Sequence, residues 1–218
     1  IIIPVLILAN TSGNRIKIVH ESNTVYYRIV VYDHGDTRYL RFGSRALQTS
    51  MSIKNPDKVL WEYIRTFITT WYWKKDNQDS LLIGLGGGAI VKYLKKYFPG
   101  KHIDIAEIDP AVVDIAKKYF FTEFSPNMKV FTYDGRIVVK RINKNYDIIS
   151  LDAFNSDYIP FHLLTKEFLQ EVKRKLKNNG VVLQNIFTTN ELKARILNTF
   201  KSVFKYIFVS KGYLSSEA

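Results

Sequence analysis

The chain of 218 residues contains no cysteine, which removes disulfides, thiolate metal sites and a cysteine nucleophile together. That composition is compatible with a reducing compartment, and the cytoplasm is the expected location. The four histidines, His20, His34, His102 and His162, are scattered without metal-ligand spacing, so no metal is expected. Hydrophobic runs of membrane-spanning length are missing as well. Ile1 to Ala9 is apolar but, at about nine residues, too short to cross a bilayer, and no basic region precedes it. It reads as a buried strand or docking segment. The chain starts at Ile1 rather than Met, so the alternative is the tail of an upstream membrane segment in a longer chain. Internal repeats and low-complexity segments are absent too.

Positive charge is plentiful. Thirty-two Lys and Arg against twenty Asp and Glu leave a net charge of +12. The basic runs are short: Lys117-Lys118, Lys140-Arg141 and Lys173-Arg174-Lys175, each at the exposed face or end of an expected helix. None forms a nucleic-acid arm. A lysine-rich solvated surface explains them better than a polyanionic partner such as RNA. The length fits one α/β domain with a small appendage.

The chain is organised around residues 80–109. Leu81, Leu82 and Ile83 form an apolar run that stops at Gly84, Gly86, Gly87 and Gly88, as a buried parallel strand ends in a tight turn. Ile90, Val91, Leu94 and Phe98 then carry helical spacing, and Ile103 to Ala106 makes a second strand ending in Glu107 and Asp109. Strand, glycine turn, helix, strand and terminal acid make half of a nucleotide-binding α/β unit, with Glu107 about twenty residues past the turn. The turn lacks the Gly-x-x-x-x-Gly-Lys-Ser/Thr pattern, which excludes a P-loop.

Residues 16–51 are β-rich and predict a small antiparallel sheet, with strands at Val25 to Tyr32, Thr37 to Phe42 and Ala46 to Thr49. The expected division is an N-terminal β subdomain over residues 1–54 and a Rossmann-like domain over 55–218. Asn55-Pro56-Asp57 signals a helix start, and the stripe Val59, Leu60, Tyr63, Ile64, Phe67, Ile68 and Trp71 continues it. Further strands are expected at Met128 to Thr132, Tyr146 to Asp152 and Val181 to Ile186, and near Tyr206 to Ser210. A helix is expected over Phe161 to Leu176, ended by Asn179-Gly180 in a left-handed cap. A last strand would have to come from Gly212 to Ala218, or the sheet is incomplete. Strands alternate with helices, so the sheet is mostly parallel. Glu107, Asp134 and Asp152 end three successive strands and make an acidic crevice where open α/β sheets bind ligands.

Gly84-Leu-Gly-Gly-Gly88, Ala106-Glu107-Ile-Asp-Pro110, Asp134-Gly-Arg136, Leu151-Asp152-Ala and Ile159-Pro-Phe-His-Leu-Leu-Thr-Lys-Glu-Phe-Leu169 together resemble the spermidine synthase family, in its divergent, synthase-like branch. The resemblance covers nearly the whole chain from about Glu21 and implies the class I S-adenosylmethionine methyltransferase version of the Rossmann-like sheet. It also implies transfer of an aminopropyl group from decarboxylated S-adenosylmethionine to a polyamine. In that family Glu107 would hold the ribose hydroxyls, Ile108 would pack on the adenine, Asp134 would accept from the adenine amino group, and Gly135 would keep the approach open. Asp152 matches the catalytic aspartate, a carboxylate placed to take the proton that a protonated amine must lose before it attacks. The sulfonium carries its own leaving group, so this chemistry calls for no metal. Gln48, Glu62, Asn155 and Asp157 fall at the amine end, and a homodimer is implied by the family.

The chain departs from the family pattern at the amine end. Gly87 stands where an aspartate usually grips the donor's propylamine, Asn155 replaces an aspartate, and Leu60-Trp61-Glu62 replaces Tyr-His-Glu. Tyr27 stands in place of a glutamine. A methyltransferase using ordinary S-adenosylmethionine is therefore the alternative, and a non-catalytic nucleoside-binding module the third reading.

Overall fold

The computed structural model describes residues 15–43, 46–74, 76–155, 158–187 and 189–210. The expectations for Ile1 to Ala9, Asp157 and Gly212 to Ala218 lie outside these residues. Four antiparallel strands come first: β1 (Lys17–Asn23), β2 (Arg28–His34), β3 (Thr37–Phe42) and β4 (Ala46–Ser52), paired in that order. Strand β1 had no clear sequence signal because most of its side chains are exposed or half-buried.

The second sheet has five parallel strands: β5 (Asp79–Ile83), β6 (His102–Ala106), β7 (Met128–Phe131), β8 (Tyr146–Leu151) and β9 (Leu176–Gln184), in the order β7-β6-β5-β8-β9. The strand order reverses between β5 and β8, which leaves a crevice outside their carboxyl ends. The helices are α1 (Glu62–Trp73), α2 (Ala89–Tyr97), α3 (Pro110–Phe120), α4 (Gly135–Arg141), α5 (Lys166–Arg174) and α6 (Asn190–Lys201). Leu81, Ile83, Ile149 and Leu151 pack against α4, α5 and α6 through Val139, Phe168, Leu169 and Ile196. On the other face, Leu82, Ile103, Ile105 and Ile148 meet Phe67 and Trp71 of α1, Leu94 of α2 and Ala116 of α3. Helix α3 is buried on two sides. Its Val112, Ile115 and Phe120 receive Ile29, Val31, Leu40, Phe42 and Met51 of the antiparallel sheet, which is how that sheet docks.

Three expected boundaries move. Helix α1 begins at Glu62, not near Asn55, because residues 55–57 are committed elsewhere. The Lys58 N–H closes one turn on the Asn55 carbonyl at 3.0 Å. Lys92 and Lys96 of α2 then take the Pro56 carbonyl at 2.9 Å and the Asp57 carboxylate at 2.7 Å. The helix expected over Phe161 to Leu176 splits into a 3-10 turn, Phe161–Leu163, and α5, whose start is capped by the Thr165 hydroxyl. Asn179, at φ 61°, lies within β9 rather than capping α5. The ladder jumps from Tyr146–Leu176 to Ile148–Val181, so residues 177–180 bulge out. Among the described residues, 206–210 form no strand, since they pair with no described neighbour and β9 is the last strand on that side of the sheet.

The bulge has a use at the amino ends of the strands. Lys177 reaches Asp79 at 2.6 Å and Asp147 at 3.0 Å, and Lys144 reaches Asp79 at 2.9 Å and Asp104 at 3.2 Å. Burial alone would raise the Asp79 and Asp147 carboxyls. The lysines, and for Asp147 the backbone N–H groups of Asp79 and Gln78, outweigh it and hold both below the ordinary range. Depressed carboxyls contribute stability that is present above their unfolded value of about 3.9 and lost as pH falls through the folded values. Asp147→Asn is therefore expected to destabilise the fold by about 1–3 kcal/mol at neutral pH. Urea titrations should show that difference shrinking once the medium is acid enough to protonate the wild-type carboxyl.

Candidate active site

The carboxyl ends of β5, β6 and β8 and the loop after β7 open into one cavity of about 2270 Å³, which continues along β9 to α6. A small-molecule site typically occupies about 300–1,000 Å³, so the pocket at the strand tips is one part of it.

The glycine turn forms the floor. Gly84 and Gly86 line the cavity. Gly87 and Gly88 do not: a Cβ at Gly87 would lie 2.7 Å from Thr49 Cγ2 and 3.0 Å from the Phe120 ring, and one at Gly88 would strike Thr122. Thr49 accepts from the Gly87 N–H at 2.8 Å, and the Thr122 hydroxyl donates to the Gly87 carbonyl at 2.8 Å. In this chain position 87 thus backs onto β4 and the end of α3.

Glu107 follows β6 and is only 6% exposed. Its Oε2 accepts from the Leu85 N–H and its Oε1 from the Asp109 N–H, both at 3.0 Å. Burial raises this carboxyl above the ordinary range, the backbone donors oppose the shift, and the charge of Asp109 adds to it. Each oxygen keeps a lone pair for a ligand. Asp109 caps α3 through the Ala111 N–H at 3.0 Å and accepts from the Thr24 hydroxyl at 2.6 Å, which ties the β1–β2 turn to this corner. Tyr27 lies flat on Phe42, with centroids 4.2 Å apart, and lines the cavity. Burial, then the charges of Glu107 and Asp109, push its phenol far up.

Ile108, Asp134 and Gly135 make the next wall. Asp134 Oδ1 caps α4, accepting from Arg136 N at 2.9 Å and Ile137 N at 3.2 Å. Its Oδ2 lies 2.9 Å from His162 Nε2. A Cβ at Gly135 would sit 2.3 Å from Ile83 Cγ2, so glycine there is required by the packing of α4 on β5.

Asp152 is the first residue past β8, and its N–H donates to the Ile83 carbonyl at 2.8 Å. Asn185 Nδ2 donates to Asp152 Oδ1 at 2.9 Å, and the Tyr63 hydroxyl donates to Oδ2 at 3.3 Å. Surrounding protein pushes this carboxyl up to about 7, with the two hydrogen bonds holding it back from going further. A carboxyl poised near neutrality in a cleft can take up a proton from a bound group. Gln48, Glu62 and Asn155 line the same cavity. Glu62 is exposed and 3.6 Å from Arg65, and the Asn155 amide donates to the Tyr158 hydroxyl at 2.9 Å. Asp157 lies outside the described residues.

Three residues that hydrogen-bond the cavity's acids were not placed in the site by the sequence reading: Tyr63, Asn185 and His162. Tyr63 sits on the apolar stripe of α1 and reads as core, while Asn185 and His162 meet their carboxylates across 33 and 28 residues of sequence. Among the described residues, no group of three His, Asp or Glu is arranged to hold a metal, and no helix is long and apolar enough to cross a membrane.

The spermine/spermidine synthase domain model matches residues 68–214. A polyamine aminopropyltransferase from Vibrio vulnificus is 38% identical over 205 residues, covering 91% of this chain and 69% of that protein. A spermidine synthase solved in complex with the transition-state analogue AdoDATO superposes with a TM-score of 0.78 at 19% identity, covering 92% of this chain and 69% of that one. Human methyltransferase-like protein 13, solved with SAH, gives a TM-score of 0.63 at 27% identity over 72% of this chain and 78% of that one. With its methyltransferase-like parallel sheet, its antiparallel N-terminal sheet and a family match over most of its length, the chain belongs to the spermine/spermidine synthase family.

Proposed function

We propose that this protein transfers an aminopropyl group from decarboxylated S-adenosylmethionine to an amine of a small polyamine acceptor, with Asp152 as the proton acceptor. The observation that carries the reading is the Asp152 carboxyl, pushed up to about 7 and held at both oxygens by Asn185 and Tyr63 at the strand-order reversal. In the reaction, the amine nitrogen's lone pair attacks the propyl carbon bonded to the sulfonium. That carbon–sulfur bond breaks, its electrons return to sulfur, and methylthioadenosine leaves as a neutral thioether. The proton lost from the amine passes to Asp152, which must be ionised to receive it. The nucleoside half would lie over Gly84 and Gly86, with its ribose at Glu107 and its base between Ile108 and the Asp134 corner. The acceptor would lie toward Tyr63, Glu62 and Asn155, where aromatic walls suit a methylene chain and carboxylates suit its charged ends.

Calorimetric titration tests the reading with S-adenosylmethionine, its decarboxylated form and methylthioadenosine. Tighter binding of the decarboxylated form, with transfer to a diamine seen by mass spectrometry, is the expected outcome. Preference for the carboxylated form without aminopropyl transfer overturns it. The ribose assignment has its own check: Glu107→Ala is expected to weaken methylthioadenosine by about 1–3 kcal/mol, the range for lost hydrogen bonds to a charged group. An unchanged affinity removes Glu107 from the site.

A further inference from the structure

We propose that His162 reads the base of the bound nucleoside, accepting a hydrogen bond at Nδ1 from an exocyclic amino group while Asp134 fixes its tautomer. The proposal rests on the nucleoside site proposed above and adds the residue that would choose between an amino and an oxo purine.

The argument starts from one hydrogen bond. His162 Nε2 lies 2.9 Å from Asp134 Oδ2. An ionised carboxylate can only accept, so the proton in that bond belongs to Nε2. In the neutral imidazole the other nitrogen is then a bare acceptor. Among the described residues, nothing meets Nδ1. His162 lines the cavity beside Asp134, and 47% of its side chain is exposed, so the ring is accessible to a ligand.

The surroundings hold this arrangement in place. Asp134 cannot swing away, because its Oδ1 caps α4 on two backbone N–H groups. The His162 carbonyl accepts from Arg136 Nη1 at 3.2 Å, and Arg136 itself is clamped to Glu171 of α5 at 2.8 and 2.9 Å. Lys140 stands 3.8 Å from the same Glu171. The charged groups linked to His162 through these contacts are Asp134, Arg136 and Lys140 from α4 and its cap and Glu171 and Glu167 from α5. Of these, Asp134 is the one hydrogen-bonded to the ring.

Asp134 Oδ1 already holds two backbone donors and Oδ2 one, so a single lone pair is left on that carboxylate, and the imidazole supplies a second acceptor next to it. An adenine turns an amino group toward such a wall. A hypoxanthine turns a carbonyl there, and acceptor would face acceptor, leaving both groups unpaired.

The test is calorimetric binding of 5′-methylthioadenosine and 5′-methylthioinosine to the wild type, His162→Asn and His162→Ala. All six combinations are measured in the same buffer. The wild type is expected to prefer the adenosine compound by on the order of tenfold, the worth of one hydrogen bond. His162→Asn places an amide oxygen near the Nδ1 position, so the preference should persist. His162→Ala should bring the preference down toward parity. An adenosine preference in His162→Ala equal to that of the wild type overturns the proposal while leaving the nucleoside site standing. Failure of either nucleoside to bind the wild type removes the site and the proposal with it.

Discussion

Asp152→Asn is expected to lower turnover by about 10²–10⁴-fold, the range for loss of a positioned general base. Methylthioadenosine affinity should stay within a few fold. Asparagine keeps the shape of the side chain and can still meet Tyr63 and Asn185, so the pocket survives. What it loses is the capacity to take a proton. The wild type should show the matching pH profile. With its carboxyl pushed up to about 7, Asp152 is ionised above that pH and neutral below it, so kcat/KM should fall as pH drops through about 7. The same shift has an opposite consequence for stability. A carboxyl raised above its unfolded value makes the folded state bind the proton more tightly than the unfolded state, so ionising it at high pH costs stability. Asp152→Asn should therefore melt higher than the wild type above about pH 7, and the gain should disappear below the unfolded carboxyl value of about 3.9, where both proteins are neutral at this position. Turnover surviving in the variant would leave Asp152 without its proposed role, whatever the melting curves show.

Legibility of the fold from sequence followed the range of the interactions involved. The β5 turn, α2 and β6 could be read because each signal is local: Leu81 to Ile83 is continuous and apolar, the glycines stop it, and Ile90, Val91 and Leu94 share a helical face. The start of α1 could not be read. Asn55-Pro56-Asp57 carries a helix-start signature, but Lys92 and Lys96 on a later helix take its carbonyl and carboxylate. Asn179-Gly180 has the form of a helix cap, yet Lys177 beside it pairs with Asp79 and Asp147, and the residues become a bulge in an edge strand. The acids were visible because strand ends are predictable places, whereas their partners were not. Tyr63 is simultaneously a core residue against Phe67 and a hydrogen-bond donor to Asp152, and periodicity reports the first role only. Gly87 and Gly135 carry a related lesson. Their small size answers to Thr49, Phe120 and Ile83 behind them, which a reading centred on the ligand does not bring out.

Gly84→Ala is expected to damage both the fold and the proposed chemistry, because this residue is where the glycine turn after β5 touches the tip of β8. Gly84 has φ +96°, and a Cβ there would lie 2.4 Å from the Asp152 carbonyl oxygen, 2.7 Å from its carbon and 2.9 Å from Ala153 Cα. All three are backbone atoms, so no side-chain rotation relieves the clash. The left-handed backbone costs about 1–2 kcal/mol for a residue with a Cβ, and the forced separation about 1–3 kcal/mol more. The Asp152 N–H bond to the Ile83 carbonyl would stretch, and the carboxylate would shift relative to Tyr63 and Asn185. A misplacement of about 1 Å at a reacting group is worth about 10²-fold in rate. Gly100→Ala is the control, since Gly100 has φ +88° but nothing within 4 Å of its would-be Cβ. It carries the conformational cost alone, about 1–2 kcal/mol, and should leave turnover at the wild-type level. Denaturant titration and steady-state rates on both variants separate the two effects: Gly84→Ala should lose more stability than Gly100→Ala and, uniquely, about 10²-fold in kcat measured on the folded fraction. Equal losses in the two variants would mean that the β5 turn and the tip of β8 are free to move apart, and that Asp152 is not held by the turn that would carry the donor.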